Sequence, residues 1–164
     1  MTNPLPNACQ RVADAAQKAG LTIEIQILDE SAHTAQQAAT ALNCEVAQIV
    51  KSLIFRGKSS GRIILLLVSG KNRVDEKGAA AQVGEVLERA DADAVRAATG
   101  FAIGGIPPFG HATELPVFMD EDLLQFDAVW AAAGIPPSIF KTTPQDLLRA
   151  TGAKIFNPMP RAAA

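Results

Sequence analysis

The fold of this 164-residue chain is decided by residues 49–68, IVKSLIFRGKSSGRIILLLV. Two apolar runs, residues 49–55 and 62–68, lie on either side of the polar segment RGKSSG, which contains two glycines. Short apolar runs separated by a polar, glycine-containing segment are typical of a β-hairpin. Because both faces of each run are largely apolar, we expect two strands that are buried on both sides.

Helices and further strands are predicted on both sides of this hairpin. The helix signals are a capping residue followed by a glycine stop or a capping box, and they begin at Asn7, Thr34, Asp75, Asp91 and Thr143. The strand signals are the alternating LTIEIQI at 21–27 and short apolar runs near 85–89, 115–119, 128–133, 138–140 and 153–156. Hairpins mixed with helices predict an α+β fold, in which helices pack on a mixed sheet around one core. The length and the lack of a long linker predict a single domain over residues 1–164.

The composition excludes several function classes. Fifteen Lys and Arg residues against 17 Asp and Glu residues give a net charge of −2, which argues against a protein that coats a nucleic-acid backbone. Two cysteines and two histidines, scattered along the chain, form no metal-ligand motif, so we expect no metal and no cofactor. The sequence contains no P-loop, GxGxxG or GxSxG motif. With no signal-like N-terminus and no apolar run long enough to span a bilayer, we expect a cytoplasmic protein.

Lys51 is the first candidate functional residue, because it lies inside the apolar run 49–55. An ammonium group is costly to bury unless it reaches a cleft or an anionic partner. It is interpreted either as a lysine whose head group extends to solvent at the end of the strand, or as a pocket lysine that binds a phosphate or carboxylate.

Two loops provide further candidates. SGKNRVDEKG, residues 69–78, presents Lys71, Arg73 and Lys77 around two carboxylates, as either a solvated loop or a rim for a polyanion. GFAIGGIPPFGH, residues 100–111, combines four glycines with two adjacent prolines and ends at His111. Such a loop is stiff and lets the backbone approach a ligand closely, so its amides could stabilise an oxyanion.

The chain as a whole resembles the YbaK/ProX family, the free-standing relatives of the editing domain of bacterial prolyl-tRNA synthetases. The resemblance covers about residues 5–157 and rests on TAQQAATAL, QIVKSLIF, LLLVSGKNRVDEKGAA, ATGFAIGGIPPFGH and FKTTPQDLLRATGA, in this order. It implies a mixed, barrel-like β-sheet flanked by helices. It also implies hydrolysis of the ester that joins a wrong amino acid to a tRNA 3′ end, without a protein nucleophile and with help from a substrate ribose hydroxyl.

The family's pocket lysine corresponds to Lys51, and its GxxxP loop corresponds to GGIPP, with Gly104 and Pro108 at its ends. The resemblance therefore implies a catalytic set of Lys51, Gly104, Gly105 and Pro108. The residues expected to bind substrate are Ser69, Lys71, Arg73, Asp75, Phe101, Ile103, Ile106 and His111. Some family members select the amino acid with a histidine before the last helix, but here that segment is AAAGIPPSIFKTTP, residues 131–144, which has none.

The partner that this reading implies is the 3′ acceptor end of an aminoacyl-tRNA, with alanyl- or cysteinyl-tRNA(Pro) as the expected substrate. Docking on an aminoacyl-tRNA synthetase stays open, and neither DNA nor a membrane is expected as a partner. Two alternatives remain. One is a non-catalytic module that binds nucleic acid or a synthetase through the same basic rim. The other is hydrolysis of a small acyl-nucleotide or amino-acid ester unrelated to tRNA.

Overall fold

The computed structural model describes residues 4–29 and 31–159, which form five α-helices and eight β-strands. The helices are α1 (Asn7–Lys18), α2 (Ala35–Leu42), α3 (Glu76–Val83), α4 (Ala92–Thr99) and α5 (Pro144–Thr151). The strands are β1 (Ile25–Ile27), β2 (Val50–Gly57), β3 (Ile63–Ser69), β4 (Leu87–Arg89), β5 (Val117–Asp120), β6 (Val129–Ala132), β7 (Ser138–Thr142) and β8 (Lys154–Phe156).

The predicted hairpin forms the centre of the larger sheet. β2 and β3 pair antiparallel along their whole length, from Val50 opposite Ser69 to Arg56 opposite Ile63. β3 then pairs in parallel with β5, and β5 with β8, so that the strand order is β4-β2-β3-β5-β8. The side chains of β3 alternate between two apolar clusters, with Leu65 and Leu67 in one and Leu66 in the other. The expectation of a strand buried on both faces is therefore confirmed for β3.

The other three strands form a second antiparallel sheet in the order β1-β7-β6. A single parallel bridge between Ile49 and Trp130 connects β6 to the residue just before β2. The α+β fold with mixed strand directions is confirmed. The expected single, barrel-like sheet is not formed: the strands divide into two sheets that do not close into a barrel. The reason is that β4 pairs with β2 only at Phe55–Gly57, which leaves residues 51–54 without a strand partner on that edge, among the described residues.

Most helix ends lie where the sequence predicts them. Thr34 forms the expected capping box with Gln37, and Asp91 and Thr143 accept hydrogen bonds from N–H groups of their first helical turns. Asp75 is the N-cap of α3, but its side chain makes no capping bond. The prediction for Asn7 was wrong by one residue, since Pro6 is the N-cap of α1 and Asn7 is already helical.

The strand predicted at residues 21–27 is shorter than expected. Only Ile25–Ile27 pair with β7, opposite residues 138–140. Leu21 instead donates its N–H to the Ala16 carbonyl oxygen at 2.8 Å and packs in the core beside α1. The alternating pattern therefore marked the core-facing residues Leu21, Ile23 and Ile25, but strand pairing is limited to its last part, where Ile27 is exposed.

The predicted domain, residues 1–164, includes residues 1–3, 30 and 160–164, which lie outside the described part, and it stays a prediction. Among the helices described, none has the length and apolar character needed to cross a membrane.

Candidate active site

Lys51 lines a cavity of about 180 Å³ on the free edge of β2. We call this space the Lys51 cavity. Its wall is built by segments that are distant in sequence: the start of β2, the N-terminal end of α2, the strands β6 and β7, and Gly104 from the glycine-proline loop. Apolar groups that line it include Leu28, Ile49, Trp130, Pro136 and Ile139. A charged group thus lies at the edge of a small and largely apolar chamber.

The ammonium group of Lys51 is held by the backbone of the next loop. Its Nζ donates a hydrogen bond to the carbonyl oxygen of Asn72. Burial lowers the pKa of Lys51 below the usual lysine range, and the nearby positive charge of Arg73 adds to this lowering, whereas Asp120 opposes it. Lys51 is therefore a half-buried cation with no paired carboxylate among the described residues, which is the state expected of a group that meets an anion or a polarised carbonyl.

Asn72 and Asp120 form a buried polar network behind Lys51 that the sequence analysis missed. The Asp120 carboxylate accepts hydrogen bonds from the Ser69 N–H at 3.0 Å and from Asn72 Nδ2 at 2.8 Å. Asn72 Nδ2 also lies 2.8 Å from Asp122 Oδ2. Since Asn72 supplies the carbonyl that binds Lys51, this network fixes the position of the lysine. In the sequence, Asn72 is a polar residue just after a predicted buried strand. Its burial becomes apparent only from its hydrogen bond with Asp120, which is distant in sequence.

The glycine-proline loop contributes one residue to the Lys51 cavity. Gly104 has a φ of +101°, a conformation that favours glycine, and a Cβ there would lie 3.2 Å from Pro136 Cγ. The Gly104 N–H donates no hydrogen bond to any of the described residues. Gly105 packs instead on the backbone of residues 134 and 135, and its carbonyl accepts a hydrogen bond from the Gly134 N–H at 2.8 Å. Gly105 therefore places the loop, and Gly104 faces the cavity.

The other candidates from this loop lie elsewhere. Pro108 and His111 line a separate polar cavity of about 510 Å³, where His111 Nε2 lies 2.7 Å from the Pro107 carbonyl oxygen. Phe101 and Ile106 are buried in the core, and the Arg11 guanidinium lies 4.4 Å from the centre of the Phe101 ring. Ile103 is 59% exposed. The structure thus brings Gly104, but not Pro108 or His111, to Lys51.

The candidates at residues 69–75 divide in the same way. Ser69 is fully buried, and its hydroxyl donates to the Ala47 carbonyl oxygen at 2.7 Å. Lys71 and Asp75 are exposed and do not line the Lys51 cavity. Arg73 is exposed and lies with Lys51 beside a second, more open cavity. Of the predicted substrate contacts in this segment, Arg73 is the one that shares a surface with Lys51.

The chemistry available in the Lys51 cavity is electrostatic. It offers one ammonium group, the Gly104 backbone and apolar walls, and it is also lined by the polar side chains of His33, Thr34, Ser52 and Ser138. The part of the chain that the structure describes holds no cluster of three or more His, Cys, Asp or Glu side chains for a metal ion. A cation and a backbone N–H beside a small chamber can stabilise negative charge that develops on a carbonyl oxygen.

Comparisons with known proteins identify the family of this chain. Residues 29–150 match the model of the aminoacyl-tRNA editing domain. A solved structure described as a proposed trans-editing enzyme for prolyl-tRNA synthetase superposes with a TM-score of 0.88 at 46% identity, covering 94% of this chain and 98% of that chain. YwhH of Bacillus subtilis (strain 168), an uncharacterized protein, is 30% identical over 133 residues, which are 81% of this chain and 84% of YwhH.

A further relative carries a more specific description. EbsC of Enterococcus faecalis (strain ATCC 700802 / V583), a proposed Cys-tRNA(Pro)/Cys-tRNA(Cys) deacylase, is 24% identical over 121 residues, which are 74% of each chain. The family that the sequence motifs indicated is confirmed by the match to its model over most of the chain. This chain belongs to the aminoacyl-tRNA editing domain family.

Proposed function

We propose that this protein is a trans-acting deacylase that hydrolyses the ester of a mischarged tRNA, with alanyl- or cysteinyl-tRNA(Pro) as its substrate. The observation that carries the proposal is that Lys51 and Gly104 line one small, largely apolar cavity. A small chamber with apolar walls can hold a short acyl group, while the cation and the free backbone N–H meet the ester.

The reaction needs no nucleophilic side chain. A water oxygen attacks the ester carbonyl carbon, the bond from that carbon to the ribose oxygen breaks, and the water proton passes to the ribose oxygen. The products are the free amino acid and the uncharged tRNA. Lys51 and the Gly104 N–H would stabilise the negative charge that builds on the carbonyl oxygen during the attack, and a neighbouring ribose hydroxyl would orient the water.

Selection of the amino acid follows from volume in this proposal. The chamber of about 180 Å³ limits the size of the acyl group, and the buried Ile139 in its wall resists displacement. Alanine and cysteine side chains are small, so they fit where the proline ring does not, which is the logic of a second sieve. The names of similar proteins support tRNA(Pro) as the carrier and prolyl-tRNA synthetase as a functional partner. We also propose the cytoplasm as the place of action.

The test is hydrolysis of a panel of labelled aminoacyl-tRNAs by the wild-type protein. The panel contains Ala, Cys, Ser, Thr and Pro on tRNA(Pro), and Ala on tRNA(Ala). We expect release of alanine or cysteine from tRNA(Pro) and no release of proline. Salt-sensitive binding of tRNA without release from any member of the panel would overturn the proposal and favour a non-catalytic binding module.

A further inference from the structure

A second cavity begins at Lys51 and extends along β2 away from the Lys51 cavity. It is an open groove of about 520 Å³, which we call the Arg89 groove. Its lining residues are Lys51, Leu53, Ile54, Phe55, Arg73, Val74, Glu76 and Arg89. Because Lys51 lines both cavities, a ligand that has its reactive end in the first can continue into the second.

The floor of the Arg89 groove is an apolar row on one face of the sheet. Lys51, Leu53 and Phe55 alternate along β2 and therefore point to the same face. Leu53, Phe55 and Val74 are apolar side chains that remain only half-buried. The row from Lys51 to Phe55 is about 13 Å long at the usual rise of a strand. This is a strip of accessible apolar surface on which flat, apolar groups can lie, and it includes one aromatic ring.

Positive charge borders this floor. Arg89 stands directly opposite Phe55 in the register of β2 and β4. Arg73 lines the groove with Lys51, and its charge adds to the lowering of the Lys51 pKa that burial mainly causes. Within residues 4–29 and 31–159, neither Arg73 nor Arg89 forms an ion pair. Glu76 is the one carboxylate in the lining, against three cations. The groove is therefore net positive at neutral pH, although the whole chain carries a charge of −2.

An apolar, partly aromatic floor between unpaired cations suits a single-stranded nucleic acid. Bases stack on the floor, and the cations meet the phosphates that follow one another along the strand. We propose that the Arg89 groove binds the unpaired nucleotides that precede the esterified 3′-terminal nucleotide, with the strand running from Lys51 towards Arg89. This inference rests on the proposed function, because it takes the esterified end to be at Lys51.

The chain offers a matched control on the same two strands. Arg56 neighbours Phe55 in sequence but points to the opposite face, where it forms an ion pair with Glu88 at 3.0 Å. Arg89→Gln and Arg56→Gln therefore remove the same charge from the same strand pair, but only the first removes it from the groove. Phe55→Leu keeps an apolar side chain in place while it removes the aromatic ring.

The experiment measures binding first, because binding does not require turnover. Fluorescence anisotropy gives the Kd of a labelled, uncharged RNA hairpin with a four-nucleotide single-stranded 3′ end, and of the same hairpin without that end. We expect Arg89→Gln to weaken binding of the first hairpin about threefold to tenfold and to reduce the slope of log Kd against log salt by about 0.7. Arg56→Gln should leave the Kd and the salt slope of the first hairpin unchanged. Arg89→Gln should leave both quantities unchanged for the hairpin without the single-stranded end. Phe55→Leu should weaken binding without changing the salt slope.

Kinetics then separate this inference from the proposed function. With a mischarged tRNA, Arg89→Gln should raise KM and leave kcat within about twofold, whereas with a 3′-aminoacyl-adenosine, which lacks the preceding nucleotides, both constants should equal those of the wild type. Equal Kd values for Arg89→Gln and Arg56→Gln would overturn the groove assignment even if the protein deacylates tRNA. Weaker binding by Arg89→Gln without any turnover would keep the groove and overturn the deacylase.

Discussion

At the scale of single residues, positions 104 and 105 require glycine for different physical reasons. Gly104 needs a positive φ and lies beside the Lys51 cavity, whereas Gly105 needs space. A Cβ at Gly105 would lie 2.6 Å from the Ile135 Cα and 2.8 Å from the Gly134 carbonyl carbon. These are backbone atoms of the turn between β6 and β7, which cannot rotate away as a side chain can.

We therefore expect Gly105→Ala to lower the free energy of unfolding by about 1–3 kcal/mol, the usual cost of overpacking. Urea denaturation of the wild type and the variant at neutral pH measures this directly. A free energy of unfolding within about 0.5 kcal/mol of the wild type would show that the loop does not pack on Gly134 and Ile135 as described.

Lys51, in contrast, was recognisable from the sequence as a candidate functional residue because charge is rare inside an apolar strand. Asn72 and Asp120 were not recognisable, since polar residues beside a strand end are ordinarily solvated and their burial depends on each other. The same limit applies to Arg89, whose place opposite Phe55 is set by strand register.

At the scale of elements, the loop that precedes β5 depends on one titratable side chain. His111 Nε2 lies 2.7 Å from the Pro107 carbonyl oxygen, as expected of an N–H donor, and the cavity beside it is also lined by Arg62 and Glu114. Burial lowers the pKa of His111 below its ordinary value, against an opposing effect of the Pro107 carbonyl. As the pH falls, the unfolded chain therefore binds this proton before the folded chain does.

The contribution of His111 to stability is accordingly present in full above about pH 6.5 and decreases as the pH falls below it. We expect the free energy of unfolding of the wild type to fall between pH 8 and pH 5 more steeply than that of His111→Gln, by at most about 1.4 kcal/mol per pH unit. Denaturant titrations at four pH values measure both slopes. Parallel slopes for the two proteins would contradict a buried, neutral His111.

The elements themselves could be predicted well where the signal was local. The caps at Thr34, Asp91 and Thr143 and the hairpin of β2 and β3 depend on residues close in sequence, and the structure confirms them. β1 was predicted too long, because alternation indicates which side chains face the core, whereas pairing requires a neighbouring backbone within hydrogen-bonding reach, which β7 provides at residues 25–27. The capping roles of the Asn7 and Asp75 side chains also failed, since a cap needs a side-chain geometry that residue type alone does not fix.

At the scale of the whole molecule, the candidate site lies where the two sheets meet. β2 is paired with β3 along one edge, but along the other it is paired only near its end with β4 and bridged just before its start to β6. The gap between those contacts is where Lys51 and Gly104 line one cavity and where the Arg89 groove begins. The family resemblance grouped Lys51 with Gly104 and Pro108. That Gly104 lines the Lys51 cavity, whereas Pro108 lines another, depends on how the two sheets pack, which no local pattern encodes.

The measurement that tests the account most directly is the single-turnover rate of deacylation by Lys51→Ala, with alanyl- and cysteinyl-tRNA(Pro) and enzyme in excess. Lys58→Ala is the matched control, because Lys58 is an exposed lysine just beyond the end of β2. We expect Lys51→Ala to lower the rate constant by about a hundredfold or more, with a melting temperature close to that of the wild type, and Lys58→Ala to leave the rate unchanged. A folded Lys51→Ala protein that hydrolyses either substrate within about twofold of the wild-type rate would contradict the central role of Lys51.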